Sequence, residues 1–175
     1  MKDSKVKKLV AAALLAALAT VMTMVIQVPS PMQGYVNLGD CAVLLAAWIL
    51  GPLWGGAAAG IGSMMADVLS GYMHYAPGTL VIKFLMAVAA GLIFKTVRES
   101  GSNGKKLGAE IVGGVAAEAI MVLGYFGYCG LWLGKGLAAA ASIPGNIVQG
   151  VIGLVCAVLV YNILDRCHAL RILEK

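Results

Sequence analysis

Charge is what this sequence has least of. Asp, Glu, Lys and Arg make up 12% of its 175 residues, about half of the roughly 25% found in soluble domains. With 61% apolar residues, too few polar side chains exist to cover a surface that faces water, so the bilayer is the expected solvent. Catalytic signatures are missing as well. There is no GxSxG, HExxH, Walker loop or paired His/Asp constellation, which excludes ATP hydrolysis by the chain itself and points away from an enzyme. The four cysteines, Cys41, Cys129, Cys156 and Cys167, form no CxxC or CxxH pair. They read as small hydrophobes in apolar or terminal segments, and neither a disulfide framework, a metal nor another cofactor is expected. Basic residues form no stripe with interleaved aromatics, so nucleic acid is not an expected partner. No soluble domain, tandem repeat or low-complexity tail interrupts the apolar pattern.

The charges that are present sit between apolar runs. Lys2, Lys5, Lys7 and Lys8 precede the first run; Lys95, Arg98, Lys105 and Lys106 cluster mid-chain; Arg166, Arg171 and Lys175 close the sequence. Cytoplasmic loops carry such excess Lys and Arg. Six membrane segments follow, at 6–26, 41–53, 55–69, 79–97, 107–128 and 137–164, with residues 1–175 forming a single membrane domain. The first has the ~20 residues needed to cross a hydrocarbon core and reads as an uncleaved helix rather than a signal peptide. Segments two and three, hinged at Gly51-Pro52, are short. They either cross a locally thinned bilayer or form a re-entrant pair. Both choices keep the orientation, and the outward loops at 27–40, 70–78 and 129–136 then hold a single Lys or Arg, Lys135. The expected fold is an all-α membrane protein, a six-transmembrane-helix bundle with both termini cytoplasmic, in a bacterial inner membrane.

Small residues recur at a spacing of four, as Ala12/Ala16, Ala13/Ala17, Gly56/Gly60 and Gly113/Ala117. That spacing lets helix backbones approach where lipid gives no hydrophobic reason to associate. Ionisable residues inside lipid are costly and mark candidate sites. Asp67, Lys83, Glu110 and Glu118 are the candidates, with Asp40 at the outer rim. Glu110 lies near the cytoplasmic rim and reads as solvated there. Asp67 and Lys83 are within about two turns of the outer face, and Glu118 is near the midplane. Ser63 and Asp67 share a helix face, as do Glu118, Met121 and Tyr125, and Ser142, Asn146 and Gln149. The expected pocket therefore opens outward, beneath a loop offering Tyr35, Asn37 and Asp40. Three structural readings stand beside it: Asp67 pairing with Lys83, Asp40 as a helix N-cap, and Asn146 with Gln149 as glue beside a Pro144 kink.

The stretch GYVNLGDCAVLLAAWILGPLWGGAAAGIGSMMADVLSGYMHYAPGTLVIKFLMA (34–87) resembles the S components of energy-coupling factor (ECF) transporters, most closely the branch named after riboflavin uptake. ASIPGNIVQGVIG (141–153) is similar to the last helix of that branch. NLGD and SGYxxYAPGT are the most specific segments. The resemblance implies a non-enzymatic subunit that binds a vitamin or related micronutrient from outside. A membrane coupling subunit and two ATPase subunits would complete the importer. It further implies that an AxxxA surface on the first helix, here Ala12/Ala16 or Ala13/Ala17, docks on the coupling subunit, and that the loop 27–40 acts as a lid. Tyr35, Asn37, Asp40, Lys83, Glu118, Tyr125, Asn146 and Gln149 are the expected substrate contacts. Lys83 would meet an anionic or carbonyl group, the amides and Glu118 would read heteroatom edges, and the tyrosines would stack. Substrate identity is left open among flavin, pyrimidine and pyridoxine-like heterocycles. A solitary transporter or channel is the second reading.

Overall fold

The computed structural model describes residues 2–30, 34–98 and 103–170. Arg171 and Lys175 of the basic C-terminal cluster, and the centre of the first outward loop, lie outside them. Six α-helices dominate: α1 (Lys2–Val25), α2 (Gly39–Leu50), α3 (Pro52–Leu69), α4 (Ala76–Arg98), α5 (Asn103–Gly127) and α6 (Ile143–Arg166). A π-turn (Tyr128–Trp132) and a 3-10 segment (Gly136–Ser142) join α5 to α6. Two three-residue strands, β1 (Val28–Ser30) and β2 (Gly34–Val36), pair antiparallel with Val28 opposite Val36. The first outward loop, expected to be irregular, is therefore partly a β-ribbon. Its alternation was too short to register as strand.

Local chemistry explains the helix limits. α1 contains no Gly or Pro across 24 residues rich in Ala, Leu and Met, all strong helix formers. Pro52, Pro77 and Pro144 fall in the first turns of α3, α4 and α6, where a missing N–H costs nothing because that donor has no intrahelical partner. Pro144 thus lies in the first turn of α6 rather than kinking it, and the 3-10 segment before it belongs to the same apolar stretch, Gly136–Arg166. Between α2 and α3, Gly51 adopts φ 81°, a left-handed conformation that turns the chain without strain only at glycine.

Four helices, α1, α4, α5 and α6, contain stretches long and apolar enough to cross a membrane. α2 has 12 residues, about 18 Å of helix, and ten of them are buried, from Gly39 to Trp48. It is the bundle's central core element. A Cβ at Gly91 of α4 would run into Pro52 and the Ala47 carbonyl, so the α2–α3 corner is level with Gly91. That is seven residues before α4 ends, or about 10 Å. The corner itself is open to the surroundings, with Leu53 70% and Trp54 43% exposed.

α3 packs most extensively on α4, and α4 on α5, while α1 lies across α2 and α3. Gly62 makes the α1–α3 approach possible, because a Cβ there would meet the Ala16 backbone. Thr20 Oγ1 donates to the Gly62 carbonyl across the same seam at 2.8 Å. Ala12 is buried against Ala46 and Ala58, with Ala16 packed alongside. Ala13 and Ala17 are exposed among Val6, Leu9, Val10, Leu14 and Val21 on the outer side of α1. The two AxxxA pairs thus separate: Ala12/Ala16 face the bundle, whereas Ala13/Ala17 face outward.

Candidate functional site

A cavity opens between the β-ribbon and the outer ends of α3, α4, α5 and α6. Tyr35, Asn37, Tyr125, Asn146 and Gln149 line it, all expected from the sequence. Asp67, Tyr75, Thr79, Cys129 and Ser142 complete most of the wall. Asp67 and Ser142 belonged to the polar faces read from helical spacing but were not among the expected contacts. Tyr75 and Thr79 are the second tyrosine and the threonine of the SGYxxYAPGT segment. The cavity volume is about 50 Å³, room for little more than water and well short of the ~300–1,000 Å³ of small-molecule sites.

The ribbon is fastened over this cavity at three points. Tyr35 Oη donates to Asp67 Oδ1 at 2.7 Å. The Asn37 backbone N–H donates to Gln149 Oε1 at 2.8 Å. Just before β1, Gln27 Nε2 donates to Ser70 Oγ at 2.9 Å. The Asn37 side chain turns back on its own loop, its Oδ1 accepting from the Gly39 N–H at 2.8 Å, an Asx-type turn that leads into α2. Burial first, and then the neighbouring Asp67 carboxylate, push the Tyr35 phenol well above its ordinary value. Burial and the Cys129 thiol do the same for Tyr75. Both phenols therefore remain neutral across the physiological range.

Asp40 and Lys83 do not line the cavity. They form a buried ion pair beneath it, with Lys83 3% and Asp40 0% exposed. Gln149 Nε2 donates to the second carboxylate oxygen, Asp40 Oδ2, at 2.7 Å. Lys83 Nζ also approaches Met121 Sδ at 3.4 Å. The expected Asp67–Lys83 neutralisation is replaced by this pair, because Asp40 at the start of α2 gives the ammonium a closer carboxylate. Leu38 holds the N-cap position of α2 and both Asp40 carboxyl oxygens are taken, by Lys83 and Gln149, so the capping reading of Asp40 also gives way. Gln149 joins two systems: its carbonyl holds the ribbon stem and its amide nitrogen holds the ion pair. Each end of that side chain is committed.

Glu118 lies apart from the cavity. Both of its carboxyl oxygens are buried without a hydrogen-bond partner, and it lines an apolar groove between α5 and α6 with Val115, Val122, Ile147, Gly150 and Leu154. Glu110 departs further from expectation. It is 0% exposed and accepts from Asn162 Nδ2 at 2.7 Å, because α6 covers the face of α5 that the linear sequence leaves open. No group of three or more His, Cys, Asp or Glu residues suited to a metal occurs among the described residues.

On the family scale, residues 3–166 match the model described as ECF-type riboflavin transporter, S component. A protein of Pyrococcus woesei, described as an uncharacterized protein in a gap 3' region, is 40% identical over 137 residues, 78% of this chain and 86% of that one. A solved structure, described under the structure and mechanism of the S component of a bacterial ECF transporter, superposes with a TM-score of 0.66. It is 22% identical, with 93% of this chain and 97% of that one covered; at that identity the likeness speaks for the fold alone.

Proposed function

The chain belongs to the ECF-type riboflavin transporter S component family, and from that membership we propose that its outer cavity is where the vitamin is captured. It is a multi-pass cell-membrane protein and a transporter subunit, not an enzyme. The observation that carries the proposed site is convergence. Tyr35 from the ribbon, Asp67 from α3, Thr79 from α4, Tyr125 from α5, and Asn146 and Gln149 from α6 meet around one cavity at the outer end of the bundle.

Capture requires the ribbon to move, since a cavity of about 50 Å³ cannot hold a vitamin. Opening breaks the Tyr35–Asp67 and Asn37–Gln149 hydrogen bonds, which are few and local. Each is worth roughly 0.5–1.5 kcal/mol net, within the few kcal/mol that separate exchanging conformers. Asp40 and Lys83 stay paired below, and their proposed role is to fix Gln149. Asn146 is half-buried and available to read a heteroatom edge, and Tyr125, held by Thr79 at 2.9 Å, offers a ring face. Energy coupling is assigned to a separate membrane coupling subunit and two ATPase subunits, with Ala13/Ala17 on the exposed side of α1 as the docking seam.

The test is paired binding and uptake. Asn146→Ala is expected to weaken vitamin binding by the purified chain at least tenfold while thermal unfolding is unchanged. Uptake by cells is expected to vanish when the energy-coupling subunits are deleted. Persistent uptake in such cells would favour a solitary transporter, and an unaltered affinity in Asn146→Ala would misplace the cavity.

A further inference from the structure

The charged side chains in the described cavity wall have one sign. Asp67 is 5% exposed and lines the cavity. Its Oδ1 accepts from Tyr35, but its Oδ2 is buried with no hydrogen-bond partner. No Lys, Arg or His is among the described residues of the cavity wall. The nearest buried ammonium, Lys83, is consumed by Asp40. Two carboxyl groups, Asp40 and Asp67, thus accompany the ammonium of Lys83 at and just beneath the cavity. A carboxylate without a partner in a low-dielectric site is costly, and a bound ligand that supplies a donor and a positive charge removes that cost.

The rest of the wall suits the same chemistry. Tyr35 and Tyr72 rings stand 4.7 Å apart, centroid to centroid, on the ribbon side. Tyr75 and Tyr125 meet edge-on at 6.3 Å on the helix side. Rings of this kind attract cations through their negative faces. The protein already uses one in this way, since Lys135 Nζ lies 5.8 Å from the centroid of Tyr75. Among the described residues, the polar groups that face the cavity without a hydrogen bond include the second Asp67 carboxylate oxygen and the Asn146 amide.

We infer that the cavity selects a cationic, nitrogen-containing aromatic ligand, with its positive nitrogen against Asp67 and its ring among Tyr35, Tyr75 and Tyr125. The inference rests on the capture reading above and narrows it. The family description names riboflavin, a neutral flavin, so charge is the discriminating property.

Isothermal titration calorimetry of the full-length chain in lipid nanodiscs, with probes graded by charge, decides the matter. Thiamine and pyridoxamine serve as cations, riboflavin as the neutral ring and pantothenate as the anion. At least one cation is expected to bind tenfold or more tightly than riboflavin and pantothenate. In Asp67→Asn that preference is expected to collapse to within about twofold. The wild-type ranking needs no variant, so a folding defect in Asp67→Asn leaves the test intact. Riboflavin or pantothenate binding more tightly than both cations would overturn the charge inference and leave vitamin capture standing. Silence from all four probes would overturn both.

Discussion

The two ends of the bundle both bury carboxyl groups, and they treat them differently. At the outer end, Asp67 faces a cavity roofed by a β-ribbon that three local hydrogen bonds hold down. At the cytoplasmic end, Glu110 is closed into the α5–α6 seam by Asn162. The Tyr161 ring beside that seam packs edge-on against Trp48 at 5.5 Å and Phe94 at 5.4 Å. Lys106 lies 5.0 Å over the same Tyr161 ring and pairs with Asp165 at 2.6 Å. A few hydrogen bonds hold the cover at one end, whereas ring packing closes the other. Burial of an ionisable group is therefore not enough to mark a site in a membrane protein; what matters is whether the covering element is held by packing or by a few hydrogen bonds.

Substitutions sharpen this contrast. The largest loss of stability is expected from Lys83→Ala, which leaves Asp40 buried and unpaired, a change that costs about 3–5 kcal/mol. Asp40→Asn combined with Lys83→Met is expected to recover much of it, read as thermal unfolding in detergent. Tyr161→Ala is expected to cost about as much, roughly 3–5 kcal/mol for a lost buried aromatic, yet to leave ligand affinity in the remaining folded protein unchanged. An affinity loss there would break the distinction between the two ends. Gln149→Ala is expected to lower affinity and to speed proteolysis of the ribbon, because it frees the stem at Asn37. Lys106→Ala, which removes a partly exposed pair, is expected to cost under about 1 kcal/mol.

Alkaline titration adds a sign. The folded Tyr35 phenol sits above its unfolded value, so its contribution is complete below pH ~10 and is lost as pH rises further. Between about pH 9 and 11, the fall in melting temperature is expected to be shallower in Tyr35→Phe than in the native chain.

The helical architecture was legible in the sequence because apolar run length and Lys/Arg placement report directly on a bilayer. The outward-facing polar faces of α3, α5 and α6 were legible from spacing, and so were five of the cavity's residues. Partnership was not. Asp67 and Lys83 lie at similar depth in sequence terms, but only the folded path of α2 brings Asp40 close enough to take Lys83 away. Glu110 looked solvated because nothing local reveals that Asn162 will cover it. Glu118 shares a helical stripe with Tyr125, yet it lies seven residues, about 10 Å, further along α5, where the carboxyl meets the α5–α6 groove instead of the cavity. The ribbon strands, three residues each, are too short to carry a period.

Native mass spectrometry of the chain and of a cavity-filling variant, Gly34→Phe, tests capture beneath the ribbon most directly. Gly34 is not among the positive-φ glycines, and a Cβ there would meet the Tyr75 ring of the cavity wall at 3.6 Å, so a larger side chain at this position competes with a ligand for the space beneath the ribbon. The native chain, taken gently from its own membranes, is expected to carry one vitamin-sized molecule, and Gly34→Phe, with its melting temperature retained, to carry none. A Gly34→Phe protein that holds the same molecule as tightly as the native chain would contradict capture at this site.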